Sequence, residues 1–317
     1  MRSMTKLRII YAGTPEFALP CLKKIYDSSH DLLAVLTQPD RPAGRGLKLQ
    51  QSAVKQFATE KKLTCYQPVK IELDFIQRIK DLKPDILVVA AYGIILPVEF
   101  INIFPQKAFN IHGSILPKWR GAAPIQRAIL NGDTEIGVSI MEVVEKLDAG
   151  NVYAIKKELR NIKLTSKDYF EILADDGAEL MLRHLHLIAN NTKLVSEKQN
   201  DLEVTYAKKI FKEEALVTFE ENSDQLINKI LAFNPFPIVR ASFRGKDCKI
   251  YHAEKSNIGK MSTPGQVLII NDEVYLGTMD TFIKINEIQM VGGKILTGSE
   301  FIKSYQVKPT DIFTHAT

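Results

Sequence analysis

Apolar residues in the first half of the chain fall into two textures, short unbroken runs and stripes at helical spacing. Leu7 to Ala12, Leu32 to Thr37 and Ile86 to Ala91 are runs of the first kind. Near-continuous apolar runs are expected of strands covered on both faces. Leu63 to Tyr66, Lys107 to Ile111, Ile136 to Val143 and Val152 to Glu158 read as further strands. Gly13-Thr14-Pro15 marks a turn, with Pro15 placed to open a helix that carries Phe17, Leu22, Ile25 and Tyr26 on one side. Ala53 to Lys61, Ile71 to Leu82 and Ser166 to Ala189 also read as helices. The β-α-β order predicts an α/β fold with an open, mostly parallel Rossmann-like sheet and helices on both faces.

The pattern then changes. Asn190 to Asp201 is polar and poor in apolar anchors, which puts a linker at 190–208 between a catalytic domain at 1–189 and a second domain at 209–317. After a helix at Ser223 to Ala232, short strands follow at Arg240–Arg244, Lys249–Ala253, Gly265–Ile270, Val274–Met279 and Phe282–Ile288, separated by Gly, Pro, Asn and Asp. That spacing predicts a small antiparallel β-barrel, OB-like in kind.

Composition narrows the classes. With 317 residues, 45% hydrophobic and 25% charged, the chain has the balance of a globular protein of about two domains. The longest apolar run, Ile86 to Leu96, stops at Pro97 and is too short to span a membrane. Cys21, Cys65 and Cys248 are widely spaced and odd in number, which favours a reducing, cytoplasmic setting over a disulfide framework. The N-terminal apolar run is interrupted by Arg8 and offers no secretory pattern. A net charge of +5 permits an anionic partner without requiring one.

Three segments can carry chemistry. In open parallel sheets ligands collect beyond the carboxyl ends of the strands, where Phe109 to Gly121 sits. Asn110 and His112 are two apart on a strand and leave by the same face. An amide donor beside an imidazole suits a reaction that builds negative charge on oxygen, as acyl transfer does; a core histidine with an asparagine turn is the bland alternative. Asp148, in Leu147-Asp148-Ala149-Gly150, could pair with His112 and hold its orientation, although Asp-x-Gly is also ordinary turn chemistry. Gln38 to Gly46 holds Arg41 and Arg45 on a Pro/Gly-rich backbone that should not fold on itself; Lys48 follows. It fits a phosphate backbone or a plain surface loop. Gly13-Thr14-Pro15 lacks the further glycines of a dinucleotide fingerprint, and no Walker loop or His-Glu-x-x-His occurs. His184 and His186 read as surface residues on different sides of a helix. The second domain's charges nearly cancel, so its composition alone does not make it a nucleic-acid binder.

Asn110-Ile111-His112-Gly113-Ser114-Ile115-Leu116-Pro117, followed by Leu147 to Gly150, closely resembles the signature of the folate-dependent formyltransferases. Ala232 to Pro237 resembles the start of that family's C-terminal barrel, and the Arg41/Arg45 loop is similar to the insertion that the methionyl-tRNA branch directs at the tRNA acceptor stem. The resemblance implies 10-formyltetrahydrofolate as donor, the α-amino group of methionyl-initiator tRNA as acceptor, an oxyanion tetrahedral intermediate and no metal. It implies catalytic roles for Asn110, His112 and Asp148, a folate-binding loop at Ser114, Ile115, Leu116 and Pro117, and tRNA contacts at Arg41 and Arg45. Val89 to Ile94 would line the pterin pocket. Ile115 stands where the family usually has Leu, a change that keeps side-chain volume. A monomer is expected. An amino-sugar formyltransferase and a non-catalytic tRNA-binding protein on the same scaffold are the alternatives; a glycinamide ribonucleotide enzyme would match the first domain alone.

Overall fold

The computed structural model describes residues 5–43, 48–259 and 261–316. Its strands are β1 (Arg8–Gly13), β2 (Asp31–Leu36), β3 (Arg41–Ala43), β4 (Lys48–Gln50), β5 (Cys65–Tyr66), β6 (Ile86–Ala90), β7 (Ala108–His112), β8 (Arg120–Gly121), β9 (Glu135–Glu142), β10 (Val152–Leu159) and β11 (Tyr206–Ala207), followed by β12 (Val239–Phe243), β13 (Lys246–Lys255), β14 (Val267–Ile270), β15 (Glu273–Gly277), β16 (Phe282–Met290), β17 (Ile295–Thr297) and β18 (Phe313–Thr314). The helices are α1 (Leu19–Tyr26), α2 (Ala53–Glu60), α3 (Leu73–Asp81), α4 (Val98–Ile101), α5 (Pro124–Asn131), α6 (Ser166–Ala189), α7 (Ser223–Ala232) and α8 (Gly298–Tyr305). The chain divides into two compact units. One comprises residues 1–124, 137–158 and 170–206; the other comprises 125–136, 159–169 and 207–317.

The first unit is built on a seven-stranded sheet in the order β10-β9-β7-β6-β1-β2-β5. The β1–β2, β1–β6, β2–β5 and β6–β7 ladders are parallel, whereas β7 and β9 run antiparallel. Alternation along β7 shows how both faces are covered. Ala108 points into a cluster with Ile10, Leu36, Leu87 and the α3 and α4 residues Ile79 and Phe100. Phe109 and Ile111 lie on the opposite face under α6, where Phe109 meets His184 and a Cβ on Gly177 would come within 2.5 Å of Ile111. Every residue of β6 is buried, as its unbroken apolar run requires. Near the chain start, Pro15 precedes a short 3-10 turn and α1 begins only at Leu19. Leu22 and Ile25 are buried, while Tyr26 is half-exposed and meets Phe57 edge-on.

Two expectations need correction. The Gln38–Gly46 segment takes regular structure in part: Arg41–Ala43 forms β3 and pairs antiparallel with β4, just beyond the segment, with Pro42 opposite Leu49. Proline is tolerated there because a two-stranded ribbon leaves its imide side free of ladder demands. His184 is buried at 3% exposure rather than on the surface, since it continues the α6 stripe of Leu173, Gly177, Met181 and Leu185.

In the second unit an antiparallel sheet runs β14-β15-β16-β13-β12-β18, with β17 added on β16. Among the described residues, the ladders leave the ends β14 and β18 unjoined. An isolated bridge, Gln266 to Ile312, brings those ends together, and Phe313 N–H donates to the Gly265 carbonyl at 2.8 Å. The sheets of the chain therefore mix parallel and antiparallel pairing. Among the described residues no helix is long and apolar enough to cross a membrane.

Candidate active site

Strand β7 ends at the centre of the sheet, and its register fixes the first two candidates. Asn110 pairs with Val89 of β6 and Met141 of β9, and His112 pairs with Ser139. Being two apart, both side chains leave on the Ala108 face. Asn110 is half-buried, and among the described residues its carboxamide makes no hydrogen bond. A donor held on a central strand without an internal partner remains available to a ligand.

His112 is 5% exposed. Its Nε2 lies 2.9 Å from the Trp119 carbonyl, and a carbonyl only accepts, so Nε2 carries the hydrogen. Nδ1 then faces Oδ2 of Asp148 at 3.7 Å, beyond hydrogen-bond length. A hydrogen on Nδ1 would thus remain free for a ligand oxygen or a bridging water. The structure brings Asp148 to His112. Asp148 has a left-handed backbone (φ 49°), a conformation Asp tolerates better than most residues, and its Oδ2 accepts from Gly121 N–H at 2.9 Å. Gly150, two residues on, has a separate steric role: a Cβ there would fall 1.9 Å from the Glu142 carbonyl oxygen. One carboxylate thus both holds this turn through Gly121 and faces the imidazole of His112.

The Ser114–Pro117 loop is fixed from beneath. Ser114 is buried, with Oγ donating to Lys118 O at 2.6 Å, while Ser139 Oγ donates to Ser114 O and accepts from Leu116 N–H. Leu116 packs inward with Met141 and Val152. Ile115 is half-buried over Gly137, and Pro117 is half-buried. With Ser114 and Leu116 turned inward, the loop offers a ligand mainly backbone groups. At the end of β6, Ala91 and Gly93 both have left-handed φ, and the Tyr92 carbonyl accepts from Thr14 Oγ1 and Gln38 Nε2, each at 2.9 Å. A Cβ on Gly93 would collide with the Gln38 amide at 2.2 Å. Arg41 is exposed on β3, and Arg45 lies outside the described residues.

Sequence reasoning missed two groups. Arg120 is 2% exposed, and Gln199, which the polar linker reading passed over, is 6% exposed and bonded to the Asp148 turn. Neither has a sequence signal beyond the neighbouring motif, because their partners are largely backbone carbonyls and each other. Among the described residues no group of three or more His, Cys, Asp or Glu could hold a metal.

Comparison with known proteins identifies the family. The family profile described as formyl transferase matches residues 5–185, and its C-terminal domain profile matches 209–306. A methionyl-tRNA formyltransferase from Methylobacillus flagellatus is 41% identical over 308 residues, covering 97% of this chain and 99% of that protein. Its counterpart from Janthinobacterium is 40% identical over 313 residues, covering 95% and 98%. Among solved structures, the N-formyltransferase of Helicobacter canadensis, in complex with folinic acid and dTDP-3-aminofucose, matches with a TM-score of 0.68 at 22% identity, covering 90% of this chain and 99% of that one. That similarity shows the fold. By full-length identity and both profiles, the chain belongs to the formyl transferase family, in the branch of the methionyl-tRNA formyltransferases.

Proposed function

We propose that this chain transfers the formyl group of 10-formyltetrahydrofolate to the α-amino group of methionyl-initiator tRNA, giving formylmethionyl-tRNA for translation initiation in the cytoplasm. The observation that carries the reading is Asn110 and His112 on one face of β7, with Asp148 Oδ2 3.7 Å from His112 Nδ1, in a chain matching methionyl-tRNA formyltransferases over almost its whole length. The donor supplies an activated amide carbon. As the amine adds there, charge collects on the formyl oxygen. The unpartnered Asn110 carboxamide donates to that oxygen, an interaction worth about 3–4 kcal/mol in comparable sites. A charged His112 adds its Nδ1–H from the same face, its Nε2–H already held by Trp119 O. Asp148 balances the imidazolium and accepts, through a water, the proton leaving the attacking nitrogen. As the intermediate collapses, the formyl carbon–N10 bond breaks and N10 takes up that proton, releasing tetrahydrofolate.

The backbone of Ser114 to Pro117 and the Val89–Ile94 tract would hold the folate. Arg41, on β3, and Arg45 would meet tRNA phosphates. The 209–317 segment would form an OB-like barrel, closed at the Gln266–Ile312 bridge, that takes the body of the tRNA; the chain would act as a monomer. The test offers purified protein and 10-formyltetrahydrofolate either charged initiator tRNA or a nucleotide-linked amino sugar. Formylation of the tRNA is expected. Transfer to the sugar alone would overturn the acceptor, and transfer to neither would overturn the activity.

A further inference from the structure

The Asp148 turn and the loop after β7 are far apart in sequence, yet a single buried carboxamide joins them. Gln199 Nε2 donates to Asp148 O at 2.9 Å and to Gly150 O at 2.7 Å, and its Oε1 accepts from Arg120 Nε at 3.0 Å. This amide has only one orientation, since two carbonyls can only accept and a guanidinium can only donate. Arg120 is peptide-bonded to Gly121, whose N–H holds Oδ2 of Asp148 at 2.9 Å. The bonds therefore close a ring from Asp148 carboxylate to Gly121, Arg120, Gln199 and back to Asp148 O. A second strap comes from the same segment: Thr205 Oγ1 accepts from Trp119 N–H and Thr205 O accepts from Arg120 N–H, both at 2.9 Å. Trp119 O is in turn the partner of His112 Nε2.

We infer that Gln199 is a positioning residue for formyl transfer, locking the Asp148 turn to the Arg120–Gly121 strand so that the carboxylate meets Nδ1 of His112. The inference rests on the proposed function for its activity readout, and on geometry alone for the rest. A general stabiliser could be replaced by packing of similar volume. A positioning group needs its particular donors and acceptor. Arg120 makes the requirement stricter, because its buried charge needs an acceptor from Gln199, with Asp201 4.0 Å away.

The experiment compares wild type with Gln199→Glu and Gln199→Leu, in the full chain. Glutamate keeps the acceptor for Arg120 but places a carboxylate against two carbonyls; leucine keeps volume and removes every bond. Turnover at saturating donor and acceptor should fall about 10- to 100-fold in both, with the KM for 10-formyltetrahydrofolate within about threefold, as for a misplaced group rather than a lost contact. In substrate-free protein, 15N resonances of the His112 ring should shift in both variants while the melting profile stays cooperative. Where leucine fails to fold, Gln199→Glu carries the test. Wild-type turnover in either folded variant, a loss confined to KM, or unmoved His112 resonances would overturn the inference. A wild type inert toward methionyl-tRNA would sink the proposed function instead, and the ring resonances would still decide the role of Gln199.

Discussion

The signature loop and the arginine hairpin are both rich in glycine and proline, yet the structure treats them in opposite ways. Around Asn110–Gly121 most polar groups other than the Asn110 carboxamide are tied: His112 to Trp119, Ser114 to Lys118 and Ser139, Arg120 to Gln199, Gly121 to Asp148. The hairpin is anchored at its base. Asp40 binds Lys55 at 2.7 Å and Gln67 at 2.8 Å, with the Lys55 ammonium first and the Gln67 amide second in holding its carboxyl below the usual range. Beyond the base, Arg41 and Leu49 stand exposed, Leu49 at 72%. Groups that stabilise a developing charge must be fixed in advance, because reorganisation during the reaction weakens them. Groups that meet a phosphate backbone act as charges in a surface and tolerate a looser setting.

The largest effect should come from the braced side. Asp148→Ala removes the partner of both His112 and Gly121, and turnover should drop about 100-fold or more, roughly 3 kcal/mol. Steady-state kinetics with the folded variant checks this, and near-normal turnover would break the contrast between the two regions.

A second prediction concerns stability. His184 is packed edge-on against Phe109 and Tyr153, its Nε2 has no hydrogen-bond partner among the described residues, and burial lowers its pKa to about 4. The native ring is therefore neutral where the unfolded ring, titrating near about 6.5, takes up a proton. Stability from this site is fully present above about pH 6.5 and is lost as the pH falls toward 4, by at most about 3 kcal/mol. Urea titrations across that window should show a shallower acid slope in His184→Phe. An unchanged slope would mean the ring is solvated in the folded protein, and would separate this structural histidine less sharply from His112.

Smaller effects belong to the surface. Arg41→Ala should raise the KM for initiator tRNA severalfold and flatten its dependence on salt by about one charge, leaving saturated turnover near wild type. A fall in turnover at saturating tRNA would place this hairpin in the chemistry. Smallest of all, Ile115→Leu should cost less than about 1.5 kcal/mol in either stability or activation. Thermal melts and turnover together would expose a larger role for that side chain.

Much of this contrast was legible in sequence for physical reasons. Period and run length mark strands covered on both faces, and the i, i+2 spacing of Asn110 and His112 puts both on one face wherever the strand lies. Signals present but unread include the capping box at Thr297–Glu300 that opens α8, and the 3-4 spacing of Gly177, Met181, His184 and Leu185 that buries the histidine. Gln199 was not legible. A buried glutamine bonded to distant carbonyls looks, in one dimension, like any residue of a polar linker. The antiparallel β7–β9 pairing and the interleaved segments of the two units depend on long-range contacts that local patterns do not carry.

The most direct measurement is single-turnover formyl transfer from 10-formyltetrahydrofolate to methionyl-initiator tRNA, run at saturating tRNA for wild type, Asn110→Ala and Arg41→Ala. The account predicts a slowing of about 100-fold or more in Asn110→Ala and a wild-type rate in Arg41→Ala. Equal slowing in both, or none in Asn110→Ala, would contradict the proposed division between a chemical centre at β7 and an exposed hairpin for the acceptor.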